Sequence, residues 1–122
     1  LFNTDENIIM FGDSDIRVTD IVENEYNIIF GSGVIDLRDV NLEDLNREIE
    51  INTIFGSSEV LLDSTKAIRI KGSSVFGQLK LPNGNSVSFG DLNYNNITNQ
   101  EDKVIYLKSS VVFGESKIRF VD

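Results

Sequence analysis

The sequence predicts an all-β fold, and more narrowly a single-domain β-solenoid (β-helix-like) of about six Phe-Gly coils. Three observations predict it. A Phe-Gly dipeptide recurs along the chain, apolar residues stand at fixed distances after each Phe, and extended runs rich in β-branched residues precede it. The 122 residues fit one domain, 1–122, and no linker or low-complexity tract divides them.

The dipeptide occurs at Phe11-Gly12, Phe30-Gly31, Phe55-Gly56, Phe76-Gly77, Phe89-Gly90 and Phe113-Gly114. It takes up six of the eight Phe and six of the nine Gly, so the pairing is a pattern and not an effect of composition. Five residues after each Phe stand Ile16, Ile35, Val60, Leu81, Tyr94 and Ile118; seven after, Val18, Leu37, Leu62 and Phe120. Polar residues such as Arg17 and Asp36 separate the two positions, which is the period of a half-buried strand. Before the dipeptides lie runs such as Tyr26-Asn27-Ile28-Ile29, Ile49-Glu50-Ile51-Asn52-Thr53-Ile54 and Val104-Ile105-Tyr106-Leu107.

The repeating unit is then a strand, a Phe-Gly corner, a three-residue turn and a second strand. Glycine suits a corner because it accepts positive φ and lets backbones approach closely. Each Phe is expected to fill the interior, where full burial of the ring contributes about 1.5–3 kcal/mol. One unit cannot bury its own face, so units stack. The spacings are irregular, which predicts loops of unequal length. Residues 41–47 could form one helical turn, with Leu42 and Leu45 on one side. Leu81-Pro82-Asn83-Gly84-Asn85 reads as a tight turn. Residues 93–102 read as a polar loop.

The same words resemble the C-terminal domain of the LiaF-like family, the cell-wall-active-antibiotic response proteins. That family shows an "IFGG" corner, a following "V-x-L-D-L-R-D" strand and a later "V-x-G-x-x-x-FG" strand. Here they read Ile28-Ile29-Phe30-Gly31, Val34-Ile35-Asp36-Leu37-Arg38-Asp39, Ile54-Phe55-Gly56, and Ile70-Lys71-Gly72-Ser73-Ser74-Val75-Phe76-Gly77. The likeness is densest over residues 26–77. The second Gly of the corner is replaced by Ser32, Ser57 and Gln78. The resemblance implies a β-solenoid joined to an N-terminal membrane-spanning region. It implies a non-enzymatic regulator of envelope-stress signalling that binds a two-component sensor histidine kinase. The chain opens at Leu1 and not at Met. We read it as a piece of a longer protein, held at the cell membrane by its missing N-terminal region.

Composition narrows the chemistry. With no Cys and no His, disulfides, thiolate chemistry, Cys/His zinc sites and histidine acid–base catalysis are excluded. A net charge of −9 argues against nucleic acid and against anionic lipid as partners. No apolar run is long enough to span a membrane. Residues 1–63 carry 15 acids against Arg17, Arg38 and Arg47, whereas residues 64–122 carry five acids against eight bases. This asymmetry is read either as a solvated surface, or as an acidic face that meets a basic partner, or as two ends that attract each other. The residues of the partner face are Asp36, Asp39, Glu43, Asp44, Glu48, Glu50, Glu59 and Asp63.

Other patterns are weaker. Asp13 and Asp15 suggest calcium but lack the remaining oxygen ligands of a calcium loop, so no metal is expected. Glu48/Glu50, Glu23/Glu25 and Glu101/Asp102 are carboxylate pairs of the type used in glycoside hydrolysis. A period-two pair on an exposed strand serves solubility equally well, and no catalytic residue is assigned. Gly31-Ser32-Gly33 resembles the start of a phosphate loop, but strand and not helix follows it. Tyr26 and Tyr106 could stack on a ligand, while Tyr94 occupies an apolar repeat position and reads as core. No cofactor is expected. Two further roles stay open: a self-associating scaffold at the cell envelope, forming homo-oligomers, and a sensor of cationic antimicrobial peptides.

Overall fold

A computed structural model describes residues 7–9, 13–17, 25–40, 48–97 and 104–121. Among the described residues the protein is all-β, with eight strands in one sheet. In chain order the strands are β1 (Asn7–Ile9), β2 (Asp13–Arg17), β3 (Glu25–Asp36), β4 (Glu48–Leu62), β5 (Ile68–Lys80), β6 (Ser86–Val87), β7 (Gly90–Asn95) and β8 (Ile105–Phe120). The order across the sheet is β1-β3-β4-β8-β5-β6, with β2 also on β3 and β7 also on β5. The sheet does not close on itself. All pairings are parallel except those of β6 and β7 with β5.

The strands do not stack in chain order. The C-terminal strand β8 is inserted between β4 and β5, so β4 and β5 never touch as neighbours. The insertion aligns identical words. Phe55 pairs in register with Phe30 on one side and Phe113 on the other, and Phe113 with Phe76; the following glycines, Gly31, Gly56, Gly114 and Gly77, align likewise. β1 and β2 hold the same 19-residue offset to β3 (Ile9 with Ile28, Asp13 with Ser32) that separates Phe11 from Phe30 in sequence. Phe11 and Gly12 themselves lie outside the described residues.

Strands β3, β4, β5 and β8 run through the Phe-Gly word without a break, and no separate three-residue turn follows it. The bend is instead visible as a change of parity. In β4 the buried residues are Ile49, Ile51 and Thr53 before the corner, then Ser58, Val60 and Leu62 after it. In β8 they are Ile105, Leu107, Ser109 and Val111, then Ser116 and Ile118. Each strand is thus two arms folded toward one another. Contacts between the arms prove the fold-over: Thr53 Oγ1 donates to Ser58 Oγ at 2.8 Å, and a β-carbon on Gly72 would collide with Leu79.

Between the arms lies the core, built on Ile28, Ile35, Leu37, Ile49, Ile51, Val60, Leu62, Ile68, Ile70, Leu79, Leu81, Ile105, Leu107, Val111 and Ile118. These include the period-two positions Ile35, Leu37, Val60, Leu62, Leu81 and Ile118, while Tyr94 and Phe120 pack against its rim. Burial of each β-branched or leucine side chain contributes about 1.5–3 kcal/mol. Where the arms converge, the space is too narrow for large residues, and the inner positions are Gly33, Thr53, Ser58, Gly72, Ser74, Ser109 and Ser116. Ser58 Oγ donates to Ser116 Oγ at 2.7 Å, and Ser116 lies 3.5 Å from Ser109. This chain of hydroxyls satisfies groups that would otherwise be buried without partners.

The turn at 81–85 forms as expected: Leu81 N donates to Asn85 O at 2.8 Å, Gly84 N to Leu81 O at 3.0 Å, and Gly84 has φ of 90°. The segment expected to be a loop after residue 93 begins as strand, since Asn93, Tyr94 and Asn95 belong to β7. Asn96 then extends the edge of β5, accepting from Ile68 N at 2.7 Å and donating to Lys66 O at 3.0 Å. The expected helical turn at 41–47 lies outside the described residues.

Candidate functional site

The expectation that each Phe fills the interior is overturned. Phe30, Phe55, Phe113 and Phe76 keep 41%, 45%, 43% and 62% of their surface exposed. The cause is the parity change. Phe55 continues the inward series Ile49, Ile51, Thr53, but the chain has already turned, so its ring emerges past the end of the crease.

The rings are not scattered. Phe30 stacks on Phe55 with centroids 5.2 Å apart, Phe55 on Phe113 at 5.0 Å and Phe113 on Phe76 at 5.3 Å. Their planes differ by 5°, 6° and 11°. That spacing follows the separation of neighbouring strands, about 4.8 Å. Parallel in-register pairing of one repeated word therefore builds an aromatic stripe along the corner. Phe89, 77% exposed, belongs to the antiparallel hairpin and stands outside this series.

The glycines make the stripe geometrically feasible. A β-carbon on Gly56 would meet the carbonyl oxygen of Gly31, one on Gly114 that of Gly56, and one on Gly77 that of Gly114. Only residues without a side chain let the four backbones lie this close at the bend.

The acidic residues do not form one face. Glu48 and Glu50 lie on the outer side of the first arm, while Asp36 and Glu59 lie on the outer side of the second. Much of their charge is matched within the sheet. Glu50 pairs with Lys108 at 3.6 Å, Glu59 pairs with Arg119, and Asp36 holds Arg38 at 2.7 Å. Such surface pairs contribute about 0–1 kcal/mol each, but they show where the charge asymmetry goes: the more basic β8 lies directly against the acidic β4. Asp63 accepts from Thr65 N at 2.9 Å and Thr65 Oγ1 at 2.7 Å. These bonds, the hydroxyl's foremost, hold its carboxyl below the usual carboxylate range. Asp39 is exposed. Glu43 and Asp44 lie outside the described residues, as do Glu23, Glu101 and Asp102; for Asp13 and Asp15 only the strand position in β2 is described.

Of the tyrosines, Tyr26 is buried in the core. Tyr94 meets Phe120 edge-on at 6.0 Å, and its burial raises the phenol above its ordinary range. Tyr106 lies under Arg69, whose guanidinium carbon is 6.0 Å from the ring centre. Among the described residues no three carboxylates gather at metal-ligating distance, and no helix is long and apolar enough to cross a membrane.

Sequence reasoning found the stripe residues but gave them the wrong side of the sheet. The corrective signal was present. Ile49 and Ile51 are odd-numbered and Val60 and Leu62 even, and a straight strand cannot bury both sets on one face. In comparisons with known proteins, no family model, curated protein or solved structure matches this chain.

Proposed function

We propose that this chain is a non-enzymatic protein-binding module that docks its partner along the Phe30–Phe55–Phe113–Phe76 stripe. The exposure of four stacked rings carries the reading. Taking about 200 Å² per Phe side chain, the stripe presents roughly 400 Å² of contiguous aromatic surface, the scale at which an exposed apolar patch marks an interaction site. Aromatic anchors of this kind dominate protein interfaces, because they bury much area while losing few rotamers.

The setting comes from the LiaF-like resemblance: a regulatory domain of a membrane-associated envelope-stress protein, with a two-component sensor kinase as partner. In this reading the bent parallel strands are the wall of a short, open β-solenoid, and each Phe-Gly word is one of its corners. The test is co-purification of the full-length protein with membrane histidine kinases, wild type against a Phe55→Ser/Phe76→Ser variant whose circular dichroism is unchanged. Loss of the kinase from the variant supports the reading. Equal retention, or no kinase with either form, overturns it.

Self-association is the second reading, and the same stripe favours it. With Phe89 included, two copies meeting stripe to stripe would bury about 1,000 Å², the lower bound for a specific interface. Sedimentation would then show a dimer that Phe55→Ser/Phe76→Ser abolishes, and a monomer at all concentrations would remove this reading.

A further inference from the structure

The net charge is −9, yet cations gather on the outer side of the first arm. Register places Lys71 of β5 opposite Lys108 of β8, with Arg69 two residues away opposite Tyr106. Like charges facing each other across a ladder are unfavourable. Lys108 has an outlet, since Glu50 stands 3.6 Å from it on the far side. Lys71 has none: its other neighbour is Asn93 of β7, and among the described residues it makes no ion pair.

A cavity of about 260 Å³ opens beside these lysines, lined by Lys71, Gly72, Ser73, Asp91, Asn93 and Lys108. Lys71 also walls a smaller hollow of about 90 Å³ with Arg69, Tyr106 and Glu48. Two ammonium groups, the Ser73 hydroxyl and the Asn93 amide supply donors to the larger cavity. The Ser73 hydroxyl is weakly engaged, 3.4 Å from Ser110 Oγ. Among the described residues Asp91 is the only carboxylate in its lining.

We infer that this cavity binds a phosphate monoester. The phosphoryl group sits between Lys71 and Lys108, where it relieves their repulsion, and accepts hydrogen bonds from Ser73 and Asn93. Two lysines from different strands act as separate point charges, which suits a tetrahedral dianion; a planar carboxylate is better matched by the fork of an arginine. Asp91 repels the phosphoryl and draws a hydroxyl of the ligand's organic part to its own end of the cavity. Arg69 adds to the positive field that steers the anion in. The site is independent of the aromatic stripe.

Titration of ¹⁵N-labelled protein at low salt with glycerol phosphate, inorganic phosphate and glycerol tests the inference. Glycerol phosphate shifts the amides of Lys71, Gly72, Ser73, Asn93 and Lys108 and binds more tightly than inorganic phosphate, while glycerol alone shifts nothing. Lys71→Ala weakens binding about tenfold or more. Glu50→Gln, which frees Lys108, strengthens it. Asp91→Asn erases the preference for glycerol phosphate over inorganic phosphate. Absence of shifts at these amides, binding that Lys71→Ala leaves intact, or equal affinity of the wild type for the two phosphates would each overturn the assignment.

Discussion

Gly56 lies so close to Gly31 that a β-carbon on Gly56 would overlap the carbonyl oxygen of Gly31. The same overlap recurs at Gly114 over Gly56, so the bend of the whole sheet depends on a continuous row of glycines. Gly56 also has φ of 155°, and Gly114 145°. Gly56→Ala combines overpacking against backbone with strain and is expected to destabilise by about 3–5 kcal/mol. Gly84→Ala is the control: φ is 90° but nothing lies within 4 Å, so strain alone remains, about 1 kcal/mol. Urea denaturation of the two variants measures the difference.

The aromatic stripe contributes to folding as well as to surface. Phe113 is flanked by Phe55 and Phe76, whereas Phe89 is 77% exposed. Phe113→Ala is expected to lose about 2–3 kcal/mol, from half-burial of the ring and two stacking contacts. Phe89→Ser should stay within about 0.5 kcal/mol of wild type. Equal effects at both positions, measured by chemical denaturation, would mean that stacking along the ladder contributes nothing.

Two buried serines near the crease should respond in opposite directions. Ser58 links Thr53 and Ser116 at 2.8 and 2.7 Å, and Ser58→Ala strands the Thr53 hydroxyl and leaves Ser116 only its 3.5 Å contact with Ser109, at about 1–3 kcal/mol. Among the described residues Ser74 Oγ has no hydrogen-bond partner. Ser74→Ala removes an unsatisfied polar atom and should be neutral or stabilising by up to about 1 kcal/mol. Thermal melts of the two variants give the sign directly.

Asp63 supplies a pH dependence with a defined direction. Its carboxyl is held below its ordinary value of 3.8 by the Thr65 hydroxyl first and the Thr65 backbone amide second. A depressed folded-state pKa means that the contribution is complete above the unfolded value. It is lost as pH falls through the folded one. The melting temperature of Asp63→Asn should therefore lie below that of wild type at neutral pH, and the gap should narrow below pH 3.8. A gap that stays constant to low pH would exclude this role for Asp63.

Local patterns were legible in the sequence; relations between distant segments were not. Ile35, Leu37, Val60, Leu62, Leu81 and Ile118 could be placed in the core because period two is a property of each strand alone. The turn at Gly84 was legible for the same reason. The outward direction of Phe30, Phe55, Phe76 and Phe113 depends on where the chain folds over, which only the parity of residues on both sides of the corner reveals. Tyr94 sits in a repeat slot, yet its strand runs antiparallel to β5, because the short turn at 81–85 cannot return a strand to parallel pairing. Insertion of β8 was invisible, since nothing local distinguishes Phe113-Gly114 as a neighbour of Phe55 from a last coil added at the end. The basic cavity was hidden likewise, because Lys71 and Lys108 meet only through that insertion.

Placement of β8 between β4 and β5 is the claim on which the stripe, the glycine row and the lysine cavity all rest. The chain has no cysteine, so disulfide trapping tests it without background. Ser57, Glu115 and Gln78 are exposed, and Glu115 is in register with both of the others. Ser57→Cys with Glu115→Cys should cross-link readily under mild oxidation, as should Glu115→Cys with Gln78→Cys, because partners in register lie within disulfide reach. Ser57→Cys with Gln78→Cys, two strands apart, should not. Efficient cross-linking of 57 to 78 with none of 57 to 115 would show strands stacked in chain order and contradict the account.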